Sequence, residues 1–224
     1  MSEAGRFISL EGIEGAGKST LGRALEASLI ARGLKVRLTR EPGGTPLAER
    51  LRALVLERGA ERISAEAETL MMFAARAIHL ENLVRPTLSN GVWVICDRFT
   101  DATRAYQGAG RGVDPALIER LAEAVHGDLW PQRTLLLDLP VETGLARARR
   151  RAGAGPAAGD RFEDQDRHFF ERVRARYLAL AVAEPARVRV LAAADAPDEV
   201  AARALEAIAD LLPVPAHGTG RGST

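Results

Sequence analysis

The sequence predicts an α/β fold: a five-stranded, mainly parallel sheet with helices on both faces. Two observations carry that reading. Short apolar runs alternate with helical patterns along the 224 residues, which is the signature of strand–helix–strand units. Each stretch of unusual chemistry also falls just after one of those runs, and ligands of such sheets sit beyond the carboxyl ends of the strands. The candidate strands are Arg6–Leu10, Val36–Thr39, Val92–Cys96, Thr134–Leu139 and Arg187–Leu191. No internal repeat breaks the series, and the length fits one domain with at most a small appendage.

The first strand runs into Gly12-Ile13-Glu14-Gly15-Ala16-Gly17-Lys18-Ser19, which fits the phosphate-loop pattern G-x-x-x-x-G-K-[ST]. Leu21, Leu25 and Leu29 follow at helical spacing, so the loop opens a helix. Free N–H groups and the positive helix end then favour a polyphosphate. Gly12, Gly15 and Gly17 permit the tight turn, Lys18 supplies a point charge, and the Ser19 hydroxyl suits Mg²⁺. Residues 12–20, from Gly12 to Thr20, are the candidate ATP site.

The second strand enters Thr39-Arg40-Glu41-Pro42-Gly43-Gly44-Thr45, where Pro and paired Gly mark a turn. Arg40 and Glu41 fall on the ligand edge; a solvated turn with an incidental ion pair is the plainer alternative. A helical stretch over about 65–83 follows, with Leu70, Phe73, Ala77, Leu80 and Val84 as its core face. Arg76 stands in its apolar patch and needs a partner if buried. Pro86 is expected to end or kink this helix.

The third strand closes with Asp97-Arg98. The aspartate suits Mg²⁺ and the arginine a phosphate oxygen, although a strand-end ion pair would read the same way. Thr103 to Gly112 is Gly-rich and basic and reads as a binding loop, in which Gln107 matches a pyrimidine edge. After Asp138 a helix carries Arg147, Arg149, Arg150 and Arg151. The small residues Ala152 to Gly159 come next, and then Asp160-Arg161-Phe162-Glu163 opens a further helix. A segment flanked by arginines reads as a lid over phosphates, about 149–162, or else as a loop between solvated helices. The Pro, Gly, Thr and Ser residues of 213–224 read as a disordered tail.

The net charge of +1 gives no electrostatic case for nucleic acid or membrane. The lone Cys96 excludes an internal disulfide and a cysteine-cluster metal site. No basic-then-apolar leader opens the sequence, so a cytoplasmic protein is the expectation.

Together the stretches GIEGAGKS, TREPGGTPLAERLR, MMFAAR, VICDRF, AYQGAGRG and DRFEDQDRHFFERVRARY resemble the bacterial dTMP (thymidylate) kinases, a family of P-loop nucleoside monophosphate kinases. The match spans about 7–212. The resemblance implies the three-layer α/β/α P-loop fold with a short lid and transfer of the ATP γ-phosphate to dTMP with Mg²⁺. It also implies a place in dTTP biosynthesis and a homodimer. It assigns Lys18 and Ser19 to ATP and its metal, and Asp97 to Mg²⁺. Arg98 goes to the acceptor phosphate, Arg76 and Gln107 to the thymine edge, and Glu14, Glu41 and Thr103 to the acceptor's surroundings. The aromatic that stacks on the base commonly stands four residues before the arginine. Met72 is there in this chain; Phe73, three residues before, also shares a helix face with Arg76 and is the candidate. Some relatives carry a catalytic arginine in the phosphate loop. Here that position is Gly15, so Arg149, Arg150, Arg151 and Arg161 are the candidates. The rivals are a deoxynucleoside kinase, with Glu41 or Asp97 as base, and a nucleotide switch. No N-K-x-D guanine motif supports the latter.

Overall fold

A computed structural model describes residues 5–57, 61–152 and 165–213, except the side chains of 151 and 152. Its five strands are β1 (Phe7–Glu11), β2 (Val36–Arg40), β3 (Trp93–Asp97), β4 (Arg133–Asp138) and β5 (Val188–Ala192). They form one parallel sheet in the order β2-β3-β1-β4-β5. β1 lies at the centre, and its carboxyl end feeds the phosphate loop. The expected strands are all present, most of them displaced by one residue.

Alternation along β1 and β4 separates the two faces. Ile8 and Leu10 join Leu135 and Leu137 on one side. There they pack with Leu21, Leu25 and Leu29 of α1 (Lys18–Ile30) and Val200 and Ala204 of α9 (Pro197–Ala207). On the other side Leu136 packs with Phe170, Val173 and Tyr177 of α8 (Arg167–Ala183). Phe7, Val94 and Cys96 pack there with Leu80 and Val84. Ser9 and Glu11 also face this second layer, where Ser9 Oγ lies 2.8 Å from Thr134 Oγ1.

After β2 come α2 (Pro46–Leu56) and α3 (Ala65–His79). The helix expected over 65–83 does not stop at Pro86. It widens to π turns over Leu80–Val84 and continues as α4 (Arg85–Ser89), with Pro86 in its first turn. Proline lacks an N–H, and the first turn is where that loss costs least. Leu70 was expected in the core but is 51% exposed, whereas Phe73, Leu80 and Val84 are buried.

The segment expected to be a binding loop is helical. α5 (Thr100–Thr103) leads into π turns over Arg104–Gly110. Its glycines serve close packing: a Cβ on Gly110 would lie 2.5 Å from Phe169 Cε2. Then come α6 (Pro115–Val125) and α7 (Val141–Ala152). The helix after the lid begins at Arg167, capped by Asp166, whose Oδ1 accepts from Phe169 N at 2.7 Å. Residues 160–163, expected to open it, lie outside the described residues, as do Arg161, most of the expected lid and the expected tail from 214 onward.

Candidate active site

The loop between β1 and α1 is shaped by its glycines. Gly12, Gly15 and Gly17 have φ of 137°, 72° and 97°, which side-chain-bearing residues rarely adopt. A Cβ on Gly12 would lie 2.6 Å from the Leu137 carbonyl oxygen. Lys18 folds back, its Nζ donating to the Gly12 and Ile13 carbonyls at 2.9 Å each. Burial, aided by the nearby Arg98 charge, lowers its pKa to about 8. A polyphosphate offers this amine a better partner than two carbonyls. Beside it Ser19 Oγ donates to Asp97 Oδ2 at 3.0 Å. A hydroxyl and a carboxylate are hard oxygen donors, a set that suits a small divalent cation.

Arg98 follows β3 with φ 74°, the one positive-φ residue other than glycine among the described residues. Its backbone N–H donates to Leu10 O at 2.9 Å, and its carbonyl accepts from Cys96 Sγ at 3.0 Å. Glu11, fully buried, accepts from Phe99 N at 2.7 Å and from the Tyr177 hydroxyl at 2.7 Å. These contacts hold the strained residue, and its guanidinium turns back toward the loop. Nη2 donates to Glu14 Oε1 at 2.8 Å and to the Tyr106 hydroxyl at 3.0 Å, and Tyr106 in turn donates to Glu14 Oε2 at 2.6 Å. The partner of Arg98 is therefore Glu14, across the cleft, and a simple strand-end pair is ruled out.

Arg76, 3% exposed, donates from Nε to Glu41 Oε2 at 2.7 Å and from Nη2 to Thr103 Oγ1 at 3.1 Å. His79 Nδ1 meets the other Glu41 oxygen at 2.9 Å, and its Nε2 meets Thr39 Oγ1 at 2.8 Å. Burial acts to raise the Glu41 carboxyl, but Arg76 and His79 more than offset it and hold it below the usual carboxylate value. Arg76 Nη1 is buried and has no partner among the described residues. A buried donor of this kind is costly unless a ligand completes it.

Glu41, Arg76, Arg98 and Thr103 line one cleft with Glu14, Pro42, Met72, Phe99, Tyr106 and Gln107. The space over Lys18, Ser19 and Asp97 adjoins it and shares Glu14, Glu41, Arg52 and Arg98 as walls. Glu41, His79 and Cys96 also stand close enough to suggest a cation site. Their chemistry does not fit one, because both Glu41 oxygens are taken and burial pushes the Cys96 thiol well up.

The structure thus brings together Lys18, Ser19, Asp97, Arg98, Glu14, Glu41, Arg76, Thr103 and Gln107. Phe73 is not on the cleft. It packs with Val113, Ile118 and Ala122, and the Arg76 guanidinium lies 4.7 Å from its ring centroid. Met72, one position earlier, reaches the cleft wall. Sequence reasoning missed Tyr106, Arg52 and His79, although all three lie in or beside quoted motifs. It also missed a recess on the other side of the loop, lined by Leu137, Arg147, Asp195 and Pro197. Arg147 Nη1 donates to Ala193 O there at 3.0 Å. Arg149 and Arg150 are exposed at the end of α7. A side chain at Gly15 would place its Cβ 2.1 Å from the Gly144 carbonyl oxygen, so an arginine has no room there.

A parallel sheet with the order 2-3-1-4-5, a phosphate loop after its central strand and an adjoining polar cleft define a P-loop phosphotransferase acting on a small acceptor. The chain matches the model of the thymidylate kinase family over residues 10–204, and it belongs to that family. It is 53% identical over 208 residues to the thymidylate kinase of Pseudomonas syringae pv. tomato, covering 93% of this chain and 97% of that protein. The Rhizorhabdus wittichii thymidylate kinase is 50% identical over 209 residues, 93% of this chain and 99% of its own length. The crystal structure of thymidylate kinase from Ehrlichia chaffeensis superposes with a TM-score of 0.72 at 31% identity, covering 91% of this chain and 98% of that one. Among the described residues no helix is long and apolar enough to cross a membrane.

Proposed function

We propose that this kinase transfers the ATP γ-phosphate to dTMP, giving ADP and dTDP, with the base of dTMP in the Arg76–Gln107 cleft and its phosphate on Arg98. The observation that carries the assignment is the buried Arg76 Nη1, without a partner among the described residues, in a cleft that opens onto the phosphate loop. Thymine offers a carbonyl O4 for that donor and an adjacent N3–H for the Gln107 amide oxygen. Met72 packs on the base, Phe73 supports Arg76 from beneath, and Thr103 and Glu41 hold Arg76 in place. Glu14 and Tyr106 face the sugar and phosphate.

On the other side, Gly12–Thr20 wrap the ATP phosphates, and the Arg147–Pro197 recess takes its base. Ser19 and Asp97 would hold Mg²⁺, which would supply charge neutralisation on the phosphates. Lys18 moves from the loop carbonyls to the β/γ-phosphates. Arg98 aims the acceptor oxygen, and lid arginines neutralise charge on the transferring group while closure excludes water. No general base is needed, because the attacking phosphate is already ionised. A deoxynucleoside kinase would need a carboxylate base, and Glu41 is committed to Arg76 and His79.

A second copy of the chain is supported by the exposed Leu47 and Leu54 of α2 and Leu70 of α3, 50–54% accessible on adjoining helices. An acceptor series with ATP tests the function. Phosphorylation of dTMP at least a hundredfold above thymidine is expected, and preference for thymidine would overturn the assignment.

A further inference from the structure

Glu68 has no role in the reaction above, yet it is 1% exposed, in the first turn of α3. An acidic residue suits that positive helix end. The helix end accounts for neither its burial nor its partners. Oε1 accepts from Gln107 Nε2 at 2.8 Å, and Oε2 lies 3.3 Å from Arg111 Nη2. Gln107 is itself 1% exposed and lines the cleft with Met72, Arg76 and Thr103.

A primary amide has a donor side and an acceptor side, exchanged by a half-turn of its last torsion. Left alone, it reads either kind of partner. A carboxylate paired with an arginine offers acceptors only. Glu68 therefore admits one setting, with the Gln107 nitrogen toward it and the oxygen left for another partner. The reverse setting would set two buried acceptors against each other.

We propose that Glu68 is a positioning residue that sets base specificity: it fixes the Gln107 amide so that its oxygen accepts the N3–H of thymine or uracil and refuses cytosine, whose N3 is an acceptor. Discrimination then comes from a polar group left unpaired by the wrong base, the strongest device a small site has. The inference rests on the proposed placement of the base against Arg76 and Gln107.

The test compares kcat/KM for dTMP and dCMP in wild type, Glu68→Gln, Glu68→Asp and Gln107→Ala. The amide introduced by Glu68→Gln would either accept or donate, so both settings of Gln107 become satisfied. The dTMP-to-dCMP ratio is expected to fall about tenfold in Glu68→Gln, with the ATP KM within about twofold of wild type. Glu68→Asp, still acceptor-only, is expected to keep a ratio nearer to wild type. A ratio unchanged in Glu68→Gln but lowered in Gln107→Ala overturns the role of Glu68 alone. A ratio unchanged in Gln107→Ala overturns the placement of the base, and this inference with it. Equal losses in the Asp and Gln variants assign the effect to packing and also overturn it. The unaltered protein gives an independent reading by NMR. The Gln107 side-chain NH₂, held on a buried carboxylate, should exchange with solvent much more slowly than an exposed glutamine's; exchange as fast as that of an exposed glutamine would sink the proposal.

Discussion

The phosphate loop and the proposed acceptor cleft adjoin, but they are held by different means. The loop is made of main chain: three left-handed glycines and a lysine bonded to carbonyls five and six residues away. The cleft is made of side chains brought together from distant elements. Arg76 meets Glu41 across 35 residues and Thr103 across 27, and Tyr106 meets Glu14 across 92. Local backbone sites can lose a side chain and keep their shape. A buried charge network cannot, because each member neutralises another. The two regions should therefore fail differently when cut.

Lys18→Ala is expected to reduce turnover by roughly a thousandfold or more, since a charge-assisted contact to the transferring phosphates is lost. Its melting temperature should stay near that of wild type, because the lysine is bonded only to loop carbonyls. Steady-state rates and thermal unfolding together check this, and a large loss of stability would erase the contrast. Arg76→Ala is the counterpart in the cleft. It leaves Glu41, 3% exposed, with His79 as its remaining side-chain partner. Removing one partner of a buried pair costs about 3–5 kcal/mol, so urea unfolding should show a loss of that order beside a raised KM for dTMP. A variant that weakens dTMP and leaves stability intact would show that the cleft network contributes nothing to the fold.

The proposed lid arginines make a third case. Gly15 has no room for an arginine, so in the proposed reaction the charge that meets the migrating phosphoryl group comes from another segment. At least one of Arg149→Ala, Arg150→Ala, Arg151→Ala and Arg161→Ala is expected to lower turnover about a hundredfold or more at saturating substrates, while either nucleotide binds nearly as before. If all four stay within a few-fold of wild type, these arginines only solvate helix ends.

The same contrast explains what could be read in the sequence. The strands and the phosphate loop were legible because period-two burial and a contiguous glycine pattern are local signals. Asp97 and Arg98 were legible as a short motif at a strand end, and Gln107 through a Gly-rich stretch and the family resemblance. His79 was not, because a histidine in a helix reads as core until Glu41 and Thr39 are seen on either side of it. Tyr106 carried no charge to draw notice, yet its hydroxyl joins Glu14 to Arg98. Met72 and Phe73 stand four and three residues before Arg76, and both spacings can meet it on the helix, so only packing against Val113 and Ile118 separates them. Gly108 and Gly110 suggested a loop because sequence does not reveal that Ile118 and Phe169 occupy the space a side chain would need.

Glu11 stands at the seam of the two regions, the last residue of β1 before the loop and the acceptor for the N–H just after Arg98. Burial, and next the Asp101 charge, raise its pKa from 4.5 to about 8; hydrogen bonds from Tyr177 and Phe99 and the Arg98 charge oppose this only in part. The folded chain thus keeps a proton that the unfolded chain releases above pH 4.5. That contribution to stability is complete below the unfolded value and is lost as pH rises through about 8. Glu11→Gln removes the titration without removing the contacts, since its oxygen accepts from Phe99 and its nitrogen donates to the Tyr177 hydroxyl. Relative to Glu11→Gln, the wild type should lose roughly 2 kcal/mol of stability between about pH 6 and pH 8. Urea unfolding of both proteins at the two pH values measures this, and a stability gap that does not change with pH would mean that Glu11 is ionised throughout. The seam would then be a charged network like that around Glu41, and the boundary between the two regions would move to the phosphate loop itself.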